Sequence, residues 1–179
     1  MGEIKSTLDL VLEKTKNLTL SSEEKETQKQ KEIENRIIGM VQKYQDGILS
    51  QNQLITDYEF LKKDFNIPQN NSLIVQITQR IDPDQDSQPL LELLQEYCAI
   101  DTAAIEKIIE NFRKEYITAS QNRIERLRDD LAKQHSISGS AVLPNLDVDE
   151  KWRQKIGELR AGYEDQLNQV KDNLLGTRS

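Results

Sequence analysis

Large apolar residues recur every three or four positions along the last part of the chain. The series consists of Trp152, Ile156, Leu159, Tyr163, Leu167, Val170 and Leu174. This spacing places the apolar side chains on one stripe of a helix and leaves most charges on the opposite side. The pattern predicts a continuous helix from about residue 148 to residue 175, with Trp152 and Tyr163 facing a partner helix.

An earlier stripe has the same spacing. It consists of Ile105, Ile109, Phe112, Tyr116, Ser120, Arg123, Leu127 and Leu131. It predicts a helix from Thr102 to His135, capped by Asp101 and about 50 Å long. Because the two stripes share one period, we expect an antiparallel coiled-coil hairpin with little supercoil. Ser120 and Arg123 interrupt the stripe, which indicates either a wet gap or a place where another element supplies partner groups.

The segment between these two helices combines small residues with large apolar ones. Residues 136 to 146 include Ile137, Val142 and Leu143 among serines and glycine. A purely flexible linker does not need such apolar groups, so an ordered loop over the helix ends is expected. Asp147 and Glu150 are expected to cap the final helix.

Shorter helices are predicted before the hairpin, and their starts and stops are local signals. Ser21 with Glu24 and Ser50 with Gln53 match the capping-box pattern, in which the serine begins a helix. Asp46-Gly47 ends the first of these helices. The turn to the next helix is short, so the two helices should lie against each other.

The chain between this first pair and the long helices is harder to interpret. Ile67-Pro68 ends the preceding helix. Residues 72 to 81 fit both a strand and a helix, and the helical surroundings favour a helix. Residues 82 to 89 are read as a solvated polar linker before a leucine-rich helix from Leu90 to Cys98.

The N-terminal 20 residues form a short amphipathic pattern of their own. Ile4, Leu8, Val11 and Leu12 share one stripe. The expected role of this segment is docking on a partner, and the alternative is that it folds back as an ordinary core helix. With Ser120 and Arg123, these four residues are the candidate partner-binding residues.

These patterns predict an all-α, elongated protein with a long C-terminal antiparallel helical hairpin and smaller N-terminal helices. The expected regions are the N-terminal amphipathic helix (1–20), a small helical region with a short hairpin (21–100) and the long hairpin (101–179). Only 36% of the residues are apolar and 31% are charged, which favours an extended helical shape over a rounded domain.

Charge narrows the classes of partner. The net charge is −7, which argues against broad electrostatic binding to nucleic acid or anionic membranes. The nearest approach to a basic patch is Arg123, Arg126, Arg128 and Lys133, and interleaved acids predict that it is a salt-bridged solvent face. Apolar runs are only a few residues long, so we expect no membrane-spanning helix. A cytoplasmic location is expected for the same reason.

Residues that carry chemistry are scarce. The chain has one His, one Cys and no glycine-rich phosphate loop. Asp82, Asp84 and Asp86 have the spacing of calcium-loop ligands, but Leu93 stands where the bidentate Glu belongs. Cys98 is read as a small buried hydrophobe. The sequence therefore predicts no catalytic residue, no cofactor, no metal site and no enzymatic activity.

The expected function is a non-catalytic protein-protein interaction module, such as a scaffold, adaptor or chaperone-like protein, with an unidentified protein partner. The alternative is a ribosome- or nucleic-acid-associated helical factor. Because a lone chain would leave part of the long stripe in water, a homodimer is also expected.

Overall fold

The computed structural model describes residues 21 to 176, and every regular element in this range is an α-helix. The helices are α1 (Ser22–Gln45), α2 (Gln51–Phe65), α3 (Asn71–Gln79), α4 (Gln88–Glu96), α5 (Ala103–His135) and α6 (Glu150–Gly176). This confirms the predicted all-α fold with a long C-terminal hairpin after smaller helices. Within the described range, no helix combines the length and the apolar character needed to cross a bilayer.

The two predicted capping boxes are present at the starts of α1 and α2. Glu24 N donates to Ser21 Oγ at 3.1 Å, and Ser21 N donates to the Glu24 carboxylate at 2.7 Å. Ser50 and Gln53 make the same reciprocal pair of bonds. Gly47, with a φ of 70°, provides the left-handed turn that lets α2 fold back on α1.

Helix α3 settles the ambiguous segment, which is helical as predicted. Leu73, Ile74, Ile77 and Thr78 are all buried. A helix buried on more than one face carries apolar residues at mixed spacings, and this explains why the segment also resembles a strand.

The segment from Asp82 to Ser87 is only in part the solvated linker that the sequence suggested. Arg160 of α6 pairs with Asp82 at 3.1 Å and with Asp84 at 2.6 Å. The Ser87 hydroxyl, which is buried, donates to the Asp82 carbonyl at 3.0 Å. Residues 84 to 86 are exposed, as the prediction requires, but it missed the order of the turn because the arginine that pairs with Asp82 and Asp84 is distant in sequence.

One hydrophobic core joins the small helices to the base of the hairpin. Its buried residues are Ile37, Val41, Leu54, Tyr58, Leu61, Leu73, Ile74, Ile77, Ile81, Leu90, Leu91, Leu93, Leu94, Cys98, Ile100, Ile105, Ile109 and Leu167. The start of α5 contributes Ile105 and Ile109, and α6 contributes Leu167. Cys98 is buried, as predicted.

The long helices α5 and α6 are antiparallel. Phe112 contacts Tyr163, Tyr116 contacts Trp152, and Arg123 pairs with Asp149 near the start of α6. Contacts therefore move backwards along α6 as they advance along α5. At the start of α5, the N-cap is Thr102 and not the predicted Asp101, although the Asp101 carboxylate accepts a hydrogen bond from Ala103 N at 3.0 Å just before the helix.

The start of α6 differs from the prediction. Asp149, not Asp147, accepts the hydrogen bond from Trp152 N, at 3.0 Å. The loop before it is partly packed, since Arg128 Nε donates to the Val142 carbonyl at 2.9 Å. Leu143 and Val148 are exposed, so only part of the loop's apolar surface covers the helix ends.

Candidate interaction site on the helical hairpin

Four aromatic side chains connect α5 to α6 outside the hydrophobic core. The ring centroids of Phe112 and Tyr163 lie 5.6 Å apart, and those of Tyr116 and Trp152 lie 5.5 Å apart, both edge-to-face. Trp152 and Tyr163 are buried, whereas Tyr116 is 40% exposed. Trp152 and Tyr163 therefore face the long helix, as predicted.

Tyr163 also has a polar contact. Its hydroxyl donates a hydrogen bond to the Glu115 carboxylate at 2.9 Å. Burial and this acceptor carboxylate raise the pKa of Tyr163, so the phenol remains a donor at neutral pH. The bond holds Glu115 at the edge of the interhelical surface.

The polar break in the α5 stripe is explained by an ion pair. Arg123 Nε and Nη2 lie 2.8 Å and 2.6 Å from one carboxylate oxygen of Asp149. The Asp149 side chain is only 8% exposed, and its other oxygen accepts from Trp152 N. The break in the stripe is therefore not a wet gap at Arg123, because the segment before α6 supplies the partner group, Asp149. Ser120, one turn earlier, is half-buried.

The contacts of Asp149 determine whether its contribution to the stability of the fold rises or falls with pH. Its burial acts to raise the pKa, but the Trp152 N–H and the Arg123 guanidinium outweigh burial, and the net pKa lies below the usual value. A carboxyl with a lowered folded-state pKa stabilises the fold above its unfolded pKa. That stabilisation is lost as the pH falls through the lower, folded-state value.

Replacing Arg123 with leucine should lower the midpoint of thermal unfolding by a few degrees at neutral pH, because it leaves the Asp149 carboxylate without its counter-charge. The loss should shrink as the pH falls below the usual pKa of aspartate, and it should disappear once the pH has passed through the lower folded-state pKa of Asp149, where this carboxyl is protonated in the parent as well. Calorimetry at neutral and at acidic pH measures both effects.

The matched control is Arg126→Leu, since Arg126 is exposed and has no ion pair among the described residues. This control should leave the midpoint nearly unchanged. A stabilising effect of Arg123→Leu at neutral pH would show that the ion pair contributes nothing to the fold.

A cleft of about 730 Å³, called here the hairpin cleft, lies between α5 and the first turns of α6. It is lined by Lys114, Glu115, Thr118, Ala119, Asn122, Arg123, Arg126, Lys151, Trp152, Lys155 and Leu159. Five of these residues are basic and one is acidic, on a chain of net charge −7. The hairpin cleft is therefore locally cationic.

The basic residues at the end of α5 are paired differently from the prediction. Arg123 pairs with Asp149, and Arg128 donates to the Val142 carbonyl, so both bind partners beyond their own helix. Of the four basic residues in this group, only Lys133 pairs with an acid of its own helix, since its Nζ lies 3.9 Å from the Asp129 carboxylate. The prediction of a salt-bridged solvent face is thus only partly confirmed.

The outer half of the hairpin also exposes large apolar side chains. Ile137, Leu143 and Val148 lie in the segment that joins α5 to α6, and the exposed fractions of Leu143 and Val148 are 79% and 73%. Ile117, in the half of α5 nearer the small helices, is 55% exposed and lies beside Pro83 and Asp84. Burial of such side chains against a partner would be favourable.

The predicted site residues fall into two groups. Ile4, Leu8, Val11 and Leu12 lie outside the described residues, so their docking role stays a prediction. Ser120 and Arg123 lie on α5, and Arg123 lines the hairpin cleft. The sequence analysis did not identify Lys151 and Lys155 as site residues. The one feature that could have indicated them is that they are four residues apart on α6, one before and one after Trp152.

The small-helix region contains a hydrogen-bonded cluster of titratable side chains. The Tyr97 hydroxyl donates to the Glu59 carboxylate, which lies 3.3 Å from Lys62 Nζ. The bonds from Tyr97 and Lys62 lower the pKa of Glu59, so this carboxyl is ionised and unsuited to proton donation at neutral pH. Across residues 21 to 176, no group of three or more His, Cys, Asp or Glu side chains is arranged to hold a metal ion.

Comparison of the chain with protein-family models, with curated proteins and with solved structures finds no match.

Proposed function

We propose that this protein is a non-catalytic protein-protein interaction module, a cytosolic scaffold, adaptor or chaperone-like protein, that binds its partner through the outer half of the α5–α6 hairpin. The observation that carries the proposal is the exposure of Ile137, Leu143 and Val148, which lie beyond the hydrophobic core in the segment that joins α5 to α6. Keeping such side chains in water is costly, and a bound partner would bury them.

The hairpin suits this role mechanically. Its base is packed into the core through Ile105, Ile109 and Leu167, whereas its outer half extends away from those residues. The Arg123–Asp149 pair and the Tyr116–Trp152 contact hold the start of α6 against α5, and the bond from Arg128 to the Val142 carbonyl holds the connecting segment against the outer part of α5. A rigid helical surface binds with little loss of conformational entropy.

The second candidate, a ribosome- or nucleic-acid-associated factor, is favoured by one observation. Arg126, Lys151 and Lys155 line the hairpin cleft, and none of them has an ion pair among residues 21 to 176. Cations without an intramolecular partner can contact phosphates.

Affinity capture from a lysate, at low and high ionic strength, tests the proposed function. A complex held by apolar contacts should survive high salt, whereas a nucleic-acid complex should dissociate steeply. The variant Ile137→Ser/Leu143→Ser/Val148→Ser should lose the salt-resistant partner. A partner that this variant retains in full would overturn the assignment of binding to the outer hairpin.

The matched control is Ile48→Ser/Phe60→Ser. These two side chains are 68% and 63% exposed, and they lie in the α1–α2 region away from the hairpin tip. The control should capture the same partner as the parent protein. Loss of the partner from the control alone would place the contact on the small helices.

Self-association through the N-terminal segment is a separate prediction. Light scattering should give the mass of a dimer for the full chain and of a monomer for a chain lacking residues 1 to 20, because Ile4, Leu8, Val11 and Leu12 would supply the shared apolar surface. A dimer that survives the deletion would move the interface to the hairpin. A monomer mass for both proteins would contradict self-association.

A further inference from the structure

We infer that the hairpin cleft binds an acidic amphipathic helix of a partner protein, with its apolar face against Trp152 and Leu159 and its carboxylates beside Arg126, Lys151 and Lys155. This inference rests on the proposed function and specifies the chemistry of the partner.

The burial of the lining residues divides the hairpin cleft into an apolar floor and a polar rim. Trp152 is buried and Leu159 is half-buried, whereas Arg126, Lys151 and Lys155 are exposed. Apolar side chains therefore lie deepest, and the ammonium and guanidinium groups surround them. This is the arrangement of a groove that takes the apolar face of a helix and pairs with charges on its flanks.

The dimensions of the hairpin cleft suit a short helix. Lys114 and Arg126 are twelve residues apart on α5, so they are separated by about 18 Å along the helix axis. On α6, Lys151 and Lys155 are one turn apart and line the opposite wall. A partner helix of about three turns would contact cations on both walls.

Charge complementarity selects an acidic partner. Arg123 is neutralised by Asp149, and Lys114 lies 3.7 Å from Glu110 in an exposed pair. Arg126, Lys151 and Lys155 remain without an ion pair in the described part of the chain. Glutamates or aspartates on both sides of an apolar stripe would pair with these three groups.

Single-stranded RNA fits the hairpin cleft less well. Binding of single strands depends on exposed aromatic faces that stack with bases, and Trp152 is only 5% exposed. The three available cations are also few for a protein whose net charge is −7. The half-buried Leu159 and the small exposed part of Trp152 suit leucine side chains better than bases.

The test uses the full chain and a synthetic helical peptide with leucines along one face and glutamates on both sides of them. Trp152 is the chain's single tryptophan, so its fluorescence reports directly on the floor of the hairpin cleft. The peptide should change the Trp152 emission saturably. The same peptide with lysines in place of the glutamates should leave the emission unchanged.

Two double variants that change the net charge equally distinguish binding in the hairpin cleft from nonspecific electrostatic attraction to the whole protein. Lys151→Glu/Lys155→Glu should weaken the affinity for the acidic peptide by about tenfold or more. Lys107→Glu/Arg153→Glu is the control, since both side chains are exposed and neither lines the hairpin cleft. It should bind the peptide nearly as tightly as the parent protein.

Three results would overturn the inference. They are no Trp152 response to the acidic peptide, equal affinity of the cleft variant and the parent, and tighter binding of oligouridylate than of the peptide. If the lysate partner nevertheless depends on Ile137, Leu143 and Val148, the proposed interaction function stands and only the acidic-helix partner is rejected.

Discussion

Replacing Trp152 with alanine should lower the free energy of unfolding by about 3 kcal/mol. The indole is 5% exposed and contacts Tyr116 between the two long helices. Truncation removes its buried apolar surface and leaves a cavity that α5 and α6 cannot close without moving Asp149, which caps α6 and pairs with Arg123. Urea unfolding followed by circular dichroism measures the loss.

The control is Arg153→Ala, which changes the neighbouring, exposed residue of the same helix turn. It should alter the unfolding free energy by no more than about 0.5 kcal/mol. Both variants should be compared with parent protein of the same measured mass, because a change in oligomeric state would shift the midpoint independently. An unchanged midpoint for Trp152→Ala would contradict the packing of α6 on α5.

Replacing Leu167 with alanine should cost about 3 kcal/mol as well, for a different reason. Leu167 is 1% exposed and is the α6 residue buried in the core that α1 to α4 share. Its truncation weakens the attachment of the hairpin to the small helices. The variant should therefore unfold at lower urea concentration, with amides of α6 losing hydrogen-exchange protection before those of α3.

Gln166→Ala is the matched control, since the adjacent side chain is exposed and truncation there leaves no cavity. Leu167 and Trp152 are about 22 Å apart along α6, so the two costs should add in the double variant. Equal stability of Leu167→Ala and Gln166→Ala would show that the hairpin does not depend on this contact with the core.

Interactions between residues that are close in sequence were predictable. The Ser21 and Ser50 capping boxes need only a partner three residues later, and both formed. The Trp152-to-Leu174 stripe likewise predicted that Trp152 and Tyr163 of α6 face α5, because helix geometry puts these positions on one side. Burial of Trp152 and Tyr163 followed from that pattern.

The candidate site depended instead on residues that are distant in sequence. Asp147 and Asp149 are both acidic and near the start of α6, and nothing local distinguishes them as caps. Asp149 is selected because Arg123, 26 residues earlier, pairs with it while Trp152 N donates to its other oxygen. In the same way, Arg160 orders Asp82 across 78 residues.

The sequence by itself determined the helices, the capping boxes of α1 and α2 and most of the buried faces, since these depend on spacings of three and four residues and on hydrogen bonds within one turn. Only the tertiary structure decided which charges are neutralised and which remain available. Lys151 and Lys155 differ from Arg123 and Arg160 in lacking an ion pair within residues 21 to 176. That difference arises from the packing of α5 against α6, because the strength of an ion pair depends on a separation that packing alone sets.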